Sequence, residues 1–443
     1  MLWLLLACEG EAERSPSLAD DAFRTLLGTS ERPYGEAVFN LGDLDGDGAD
    51  DLGVAWVPER DVDDSAGRLD VFTAAGHVAT ILDEVGGGWL VATGECSTPR
   101  VPGNLNVTPV GDLDNDGLED LAVAFPRLGN GRVAIFGGDQ LRDGQTLAST
   151  DAARWLSPDG STWSFGSDLA VGDLDGDARP DLVIGAPITD APIYAGEAYV
   201  FLGSDLRNAE GEVAGEEEAM RFATNDQGLH LGERVALIGD VDEDGLGDVA
   251  LLASACSRSE GDGFVSIVPG SFHVGGGHRT TANLAEWRRT DPRFNLLPIG
   301  DADGDGLPDL AIGGVPDEDG AASVVVLRGV DMGAGGVLED PPHRFYTGAD
   351  SRTMLASWVV DGAVEVLGYD GAYIVRVADP VWARGWYKSE SWTTPCPTDA
   401  VEPWRRQLAV GDFDGDGEDE IAFAEPGWPD CEGSQPGAVF LVQ

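Results

Sequence analysis

An acidic segment recurs six times along this 443-residue chain and limits its fold more than any other feature. It reads GDLDGDGADDL at Gly42–Leu52, GDLDNDGLEDL at Gly111–Leu121 and GDLDGDARPDL at Gly172–Leu182. It returns as GDVDEDGLGDV at Gly239–Val249, GDADGDGLPDL at Gly300–Leu310 and GDFDGDGEDEI at Gly411–Ile421. The first Asp of each copy stands at 43, 112, 173, 240, 301 and 412, so copies lie 61 to 69 residues apart until a last interval of 111. That interval is close to two shorter periods and places one further unit, without the motif, between Asp301 and Asp412. Self-similarity at a near-constant spacing marks a stack of small supersecondary units.

Each unit reads alike. A short apolar run precedes the motif (Ala37-Val38-Phe39, Leu169-Ala170-Val171, Val235-Ala236-Leu237, Leu408-Ala409-Val410), and a second follows it, such as Leu182 to Pro187. Pro58, Pro126, Pro187, Pro316 and Pro426 close that second run, since a residue without an N–H ends a hydrogen-bonded ladder. A third run follows, often after Gly: GRVAIF from Gly131, GEAYVF from Gly196, GAVFLV from Gly437. The remainder leaves room for one outer strand. Four short strands per unit in seven units predict an all-β fold, a seven-bladed β-propeller of four-stranded blades. Small residues at Ala122, Ala124, Gly185, Ala250, Ala311 and Gly313 suit strands buried on both faces.

The unit without the motif is Met354–Val377, whose apolar runs are separated by Asp361-Gly362 and Asp370-Gly371, read as hairpin turns. This sixth blade, about 350–390, is expected to carry no metal loop. GAVFLV near the end of the chain is a third strand, so the last blade needs an outer strand from elsewhere. Ala22–Leu27 is placed to supply it and to remove the open edges of the ring. The propeller is thus expected over 22–443, with residues 1–21 as a short signal and acidic tether.

Counting the first Asp as loop position 1, the acidic side chains fall at positions 1, 3, 5 and 9. The sets are Asp43, Asp45, Asp47 and Asp51; Asp112, Asp114, Asp116 and Asp120; Asp173, Asp175, Asp177 and Asp181. Then come Asp240, Asp242, Asp244 and Asp248; Asp301, Asp303, Asp305 and Asp309; Asp412, Asp414, Asp416 and Glu420. Alternate spacing turns three carboxylates toward one centre as the chain curls, Gly at position 6 allows the sharp turn, and the position 7 carbonyl points inward. Oxygen-only ligands in this number suit a hard cation of flexible coordination, so Ca²⁺ is favoured over Mg²⁺. Up to six Ca²⁺ are expected. An EF-hand begins similarly but needs a bidentate Glu at position 12, where this chain has Val54, Val123, Ile184, Leu251, Ile312 and Phe423. Ala178 replaces the position 6 Gly in the third loop and implies about 1 kcal/mol of backbone strain. Glu420 replaces Asp at position 9 of the last loop, and its extra methylene is expected to shift the ligand.

This pattern resembles the FG-GAP repeats of integrin α-subunit propellers and their bacterial relatives, over roughly Ala22 to Gln443. The motif words are best kept in the third unit, as Phe165-Gly166 and Gly185-Ala186-Pro187, while Tyr34-Gly35 and Leu231-Gly232 stand in the first and fourth. The resemblance implies acidic loops that join the first two strands of each blade and bind Ca²⁺. It also implies a binding or adhesion module with a protein or glycan ligand on the face opposite the loops. No inserted metal-dependent adhesion domain is visible, so the integrin binding mechanism does not carry over. Calcium-bearing propellers also occur in polysaccharide lyases and beside a phospholipase. A Ca²⁺-dependent carbohydrate-active enzyme is therefore one alternative, and a passive surface scaffold is another.

Composition narrows the partners. With 27 Lys+Arg against 80 Asp+Glu the net charge is −53, which repels nucleic acid and anionic membrane surfaces. Hydrophobic residues at 42% are enough for a real core. No apolar run approaches the ~20 residues that cross a bilayer. Leu5-Leu6-Ala7-Cys8 resembles a bacterial lipobox, so an exported, lipid-anchored chain modified at Cys8 is expected; a plain apolar N-terminus is the other reading. In a propeller Cys396 and Cys431 fall in loops on one face and are the disulfide candidates, with Cys96 and Cys256 unassigned. Only five His occur, and neither they nor any nucleophile motif builds a catalytic set. No enzymatic activity and a monomeric state are expected. His273 and His278 flank a Gly-rich turn and read as solvated loop before metal site. Trp382, Trp386, Tyr387, Trp392, Trp404 and Trp428 read either as a ligand platform or as inter-blade packing.

Overall fold

Leu121–Phe125 and Asp181–Ala186 are buried at every residue, which requires protein on both faces of the strand. The computed structural model meets that requirement by packing small antiparallel sheets face to face around an axis. It describes residues 24–27, 37–56, 67–74, 76–82, 106–126, 128–142, 145–158, 160, 162–189, 195–208, 211–214, 219–224, 228–255, 263–272, 278–280, 284–289, 295–316, 322–337, 343–348, 356–360, 363–370, 373–378, 388–393, 408–425 and 438–442.

Blade 1 is Ala37–Asn40, Leu52–Trp56, Arg68–Thr73 and Gly76–Leu82; blade 2 is Val107–Pro109, Leu121–Phe125, Arg132–Phe136 and Arg154–Ser157. Blade 3 is Asp168–Gly172, Asp181–Ala186, Glu197–Phe201 and Met220–Ala223; blade 4 is Leu229–Gly239, Asp248–Ala255, Gly263–Val268 and Ala285–Arg289. Blade 5 is Asn295–Gly300, Asp309–Pro316, Ala322–Leu327 and His343–Gly348. The closing blade is Leu408–Gly411, Glu420–Glu425 and Ala438–Val442, completed by Arg24–Leu27 from the other end of the chain. That last strand pairs antiparallel, Arg24 with Leu441 through Leu27 with Ala438.

The fold is an all-β propeller, and its described blades with acidic loops and packed side chains number six rather than the seven expected. The difference falls on a four-stranded antiparallel sheet, Ala356–Val360, Ala363–Asp370, Tyr373–Ala378 and Lys388–Thr393, described in backbone alone. Its hairpins are too short for an acidic loop, because Val360 already pairs with Ala363 and Asp370 with Tyr373. Cys8, Cys96, Cys256, Cys396 and Cys431 lie outside the described residues, as do the side chains of His273, His278 and the aromatic cluster from Trp382 to Trp428.

The core is divided among the blade interfaces. Leu121, Val123 and Phe125 pack toward blade 1 with Leu69, Val71 and Ile81. Their alternate neighbours Ala122 and Ala124 pack toward blade 3 with Ile184, Tyr199 and Phe201. The same alternation joins blades 3 and 4, blades 4 and 5, and the closing blade to blade 1. Two-sided packing explains the small residues noted in the sequence, since every second strand must fit neighbours on both faces.

A fifth strand was not anticipated. The connection after the third strand of blades 2, 3, 4 and 5 adds one short parallel strand to the outer edge of the preceding blade. These are Gln145–Ala148, Gly211–Ala214, His278–Thr280 and Gly336–Val337. They stitch neighbours together and cover outer edges.

The Phe-Gly words also acquire a physical role. Phe165 is fully buried and forms a parallel bridge with Gly131 of blade 2. A Cβ at Gly131 would stand 2.3 Å from the Phe165 carbonyl oxygen, and the residue has φ +94°. Leu231 repeats the contact with Gly196, so Leu replaces Phe without loss of the bridge. Gly131→Ala is therefore expected to cost about 1–3 kcal/mol, read as a lowered urea midpoint with an unchanged m-value.

Candidate metal centres

Each acidic loop is a cage of backbone N–H groups folded onto carboxylates. In the first loop Asp43 Oδ1 accepts the N–H of Gly46 at 2.8 Å and of Asp47 at 3.0 Å, and Asp43 Oδ2 accepts that of Gly48 at 3.0 Å. The bond from position 6 to position 1 recurs in all six loops at 2.9–3.0 Å. Position 3 accepts the position 5 N–H at 3.1–3.2 Å throughout. Position 5 accepts the position 7 N–H at 2.8–2.9 Å. Side chains that fold their own loop in this way stand with their remaining lone pairs facing one centre.

Two loop residues take the left-handed backbone this curl demands. Position 6 is Gly in five loops, at φ +88° to +96°, and Ala178 at φ +64° in the third. Position 4 is also left-handed, at Gly46, Asn115, Gly176, Glu243, Gly304 and Gly415, with φ +58° to +78°. The sequence reading missed this second position, although Gly or Asn there in five of the six loops was the available signal. Ala178→Gly is expected to stabilise the fold by about 1 kcal/mol, read as a higher melting temperature.

Position 9 roots the loop in the protein. Asp51, Asp120, Asp181, Asp248, Asp309 and Glu420 are at most 1% exposed, and each accepts the N–H of position 2 at 2.7–3.0 Å. Glu420 makes this bond to Phe413 at 2.9 Å, so the longer side chain keeps the contact that Asp makes elsewhere. In blades 2 to 5 the other oxygen accepts a glycine N–H from beyond the third strand, Gly138, Gly203, Gly270 or Gly329, at 2.6–3.0 Å. Asp51 Oδ1 and Glu420 Oε1 are buried without a hydrogen-bond partner.

The carboxylates converge. Oxygens of Asp43, Asp45 and Asp51 lie within 4.8 Å of one another, as do those of Asp173, Asp175 and Asp181, of Asp240, Asp242 and Asp248, and of Asp301, Asp303 and Asp309. In the second loop the group is Asp112, Asp114 and Asp116, and Asp120 sits beneath it on its backbone bonds. Asp47, Asp177, Asp244 and Asp305 stand outside these triplets while capping position 7 of their loops. Asp412, Asp414, Asp416 and Glu420 make the same loop bonds as the other sets. The residues at position 12, Val54, Val123, Ile184, Leu251, Ile312 and Phe423, are at most 1% exposed in the blade interfaces, which removes them from any EF-hand role.

Few cations serve these anions. Among the described residues Arg142 Nη2 donates to the Asp45 carbonyl at 2.9 Å, Arg179 Nε stands 3.9 Å from Asp177, and Arg328 Nη1 stands 3.9 Å from Asp303. Burial, followed by the neighbouring loop carboxylates, pushes Asp51 and Glu420 up to about 7. Burial likewise lifts Asp120, Asp181, Asp248 and Asp309 to about 6, less because backbone N–H groups favour their charged forms. A carboxyl whose folded pKa lies above its unfolded value binds a proton more tightly when folded, so its stability contribution fades as pH rises through the folded pKa. In chelator, thermal stability is therefore expected to fall between about pH 4 and pH 7, and saturating Ca²⁺ is expected to abolish that fall.

A second polar group, not signalled by any motif, lies at the ends of the inner strands away from the acidic loops. Asp168 Oδ2 accepts the Val235 N–H at 2.8 Å, Arg234 Nε donates to Asn295 Oδ1 at 3.1 Å, and Ser254 donates to Glu233. Burial raises Asp168 to about 6 and Glu233 to about 7, with Arg234 opposing both shifts.

Comparison with known proteins follows the same geometry. The FG-GAP-like repeat family matches residues 112–184, and the FG-GAP repeat family matches residues 404–442. Integrin α-5 of Xenopus laevis is 30% identical over 50% of this chain and 20% of its own length. Integrin α-PS5 of Drosophila melanogaster is 37% identical over 26% of this chain and 12% of its own length. Integrin α-V of Gallus gallus is 28% identical over 46% of this chain and 19% of its own length. The chain spans a fifth or less of each of these relatives. Among the described residues no helix is long and apolar enough to cross a membrane. The chain is a β-propeller whose residues 112–184 and 404–442 match FG-GAP repeats, and its acidic loops and its Phe165–Gly131 bridge between blades belong to a repeat similar to those of integrin α subunits.

Proposed function

We propose that the chain is a calcium-binding, extracytoplasmic β-propeller that acts as a ligand-binding or adhesion module. The observation that carries this reading is the loop itself, repeated six times in one register with its carboxylates converged on a centre. Positions 1, 3, 5 and 9 of each loop, with the position 7 carbonyl, would hold one Ca²⁺. The ion supplies positive charge to a cluster that otherwise repels itself, and oxygen donors of this kind suit it. The position 9 carboxylates with a bare buried oxygen, Asp51 Oδ1 and Glu420 Oε1, fit a protein that folds with cations bound. Extracellular modules often bind Ca²⁺ at about 10⁻⁴–10⁻³ M, which matches an exported chain held at the membrane through a lipidated Cys8.

We read the sheet Ala356–Thr393 as a further blade, which makes seven. Its first strand lies beside Asn295–Gly300 on one side and Leu408–Gly411 on the other, which supports its place in the ring. The ligand, protein or glycan, is assigned to the face opposite the acidic loops. On that face Trp163 is 45% exposed on a two-stranded ribbon, Thr162–Trp163 with Ile188–Thr189, and the Asp168, Glu233, Arg234 and Asn295 group lies near the axis. Variable connections on a rigid scaffold are where recognition usually resides.

Excess EGTA is expected to lower the melting temperature of the purified chain by many degrees, and added Ca²⁺ to restore it; an unchanged melt would remove the metal assignment. A glycan array and a pull-down, each run with and without Ca²⁺, are expected to give binding only with the metal. Turnover of a polysaccharide would replace the adhesion reading with an enzymatic one.

A further inference from the structure

We infer that the six cation sites are unequal, and that the two flanking the seam between the closing blade and blade 1 bind Ca²⁺ most tightly and keep the ring shut. This rests on the calcium reading above and goes beyond it.

In blades 2 to 5 the backbone satisfies the position 9 carboxylate twice, from position 2 and from Gly138, Gly203, Gly270 or Gly329. Each of these glycines lies in a short helical turn after the third strand: Gly138–Leu141, Gly203–Asn208, Gly270–Phe272 and Gly329–Met332. The same connection then lays the fifth strand on the preceding blade. Blade 1 has no such turn, because Arg68–Thr73 runs directly into Gly76–Leu82. The closing blade has none among its described residues. Asp51 and Glu420, both 0% exposed, consequently keep one oxygen each without a donor.

Both carboxylates belong to the same seam. The Asp50 N–H donates to the Asp412 carbonyl at 2.7 Å, and the Asp412 N–H donates to Asp50 Oδ2 at 3.2 Å. Asn40 Nδ2 donates to Asp50 Oδ2 at 2.8 Å and to the Val410 carbonyl at 2.9 Å. Asp50 is the chain neighbour of Asp51, and Asp412 is position 1 of the last loop, so one hydrogen-bonded bridge joins the two centres. No described strand adds a fifth member beside Arg24–Leu27, so the seam lacks the stitch that the four interfaces between blades 1 and 5 possess.

A buried anionic oxygen without a donor is unfavourable, and a cation supplies the partner it lacks. Where a glycine N–H already holds that oxygen, the same cation gains less. The unheld oxygen also leaves the carboxylate able to present both atoms to Ca²⁺, which accepts bidentate carboxylates readily. Cations at these two loops thereby replace both the missing donor and the missing strand.

Calorimetric Ca²⁺ titration of the full chain, first stripped with chelator, is expected to resolve two sites at least tenfold tighter than the rest. Asp51→Asn together with Glu420→Gln keeps side-chain size and is expected to abolish the tight class while weaker binding persists. Hydrogen exchange at Arg24–Leu27 and Ala438–Val442 is expected to quicken when the last two equivalents of Ca²⁺ leave, and to stay slow in Asp248→Asn. If the double variant does not fold, wild-type titration and exchange still decide. One class of equivalent sites overturns the inference, as does seam exchange that ignores Ca²⁺ or answers equally to Asp248→Asn; calcium binding itself survives both results. No binding of Ca²⁺ at all overturns the inference and the reading beneath it.

Discussion

A carboxylate buried at the foot of each acidic loop holds this propeller together. Position 9 is sealed from solvent in all six loops and ties the loop to its blade through the position 2 N–H. The apolar residue at position 2, such as Leu44, Leu113, Leu174 or Phe413, is thereby driven into the core, where it is at most 4% exposed. One bond thus fixes the loop, seats an apolar anchor and aims the other carboxylates at a common centre. Its cost is a buried negative charge six times over, which burial alone would protonate. A divalent cation bound there, as proposed, would reverse that balance and make metal binding and folding parts of one equilibrium.

Blade packing supplies the rest. Each second strand is buried on both faces, and neighbours meet so closely that only glycine fits where blades cross. A Cβ at Gly185 would stand 2.0 Å from the Gly232 carbonyl oxygen, as Gly131 meets Phe165 one interface earlier. The Phe-Gly and Gly-Ala-Pro words of the repeat are therefore contact points between blades rather than features of an isolated unit. Fifth strands from the following blade add a second, peripheral lock.

The propeller, the boundaries of its strands around each acidic loop and the N-terminal strand in the closing blade were legible because they are written locally. Alternating carboxylates, Pro after the second strand and Gly before the third act within a few residues of each other. Other features depend on partners far away in sequence. The glycine clamp on Asp120 comes from Gly138, and nothing near Asp51 announces that its own clamp is missing. The fifth strands pair in parallel with a different blade, so no hairpin signal marks them. Glu420 looked like a displaced ligand, yet its bond to Phe413 shows the backbone accommodating the extra methylene. The Asp168, Glu233, Arg234 and Asn295 group draws one or two residues from each of three blades, a pattern with no local period.

The central claim is that these loops are cation sites, and metal content measures it directly. Equilibrium dialysis of the purified chain against Ca²⁺, followed by elemental analysis, is predicted to give about six ions per chain, with one lost for each loop whose position 1 and position 3 Asp are changed to Asn. A chain that retains no Ca²⁺ above the buffer, or one whose content is unchanged when those Asp are replaced, would contradict the account.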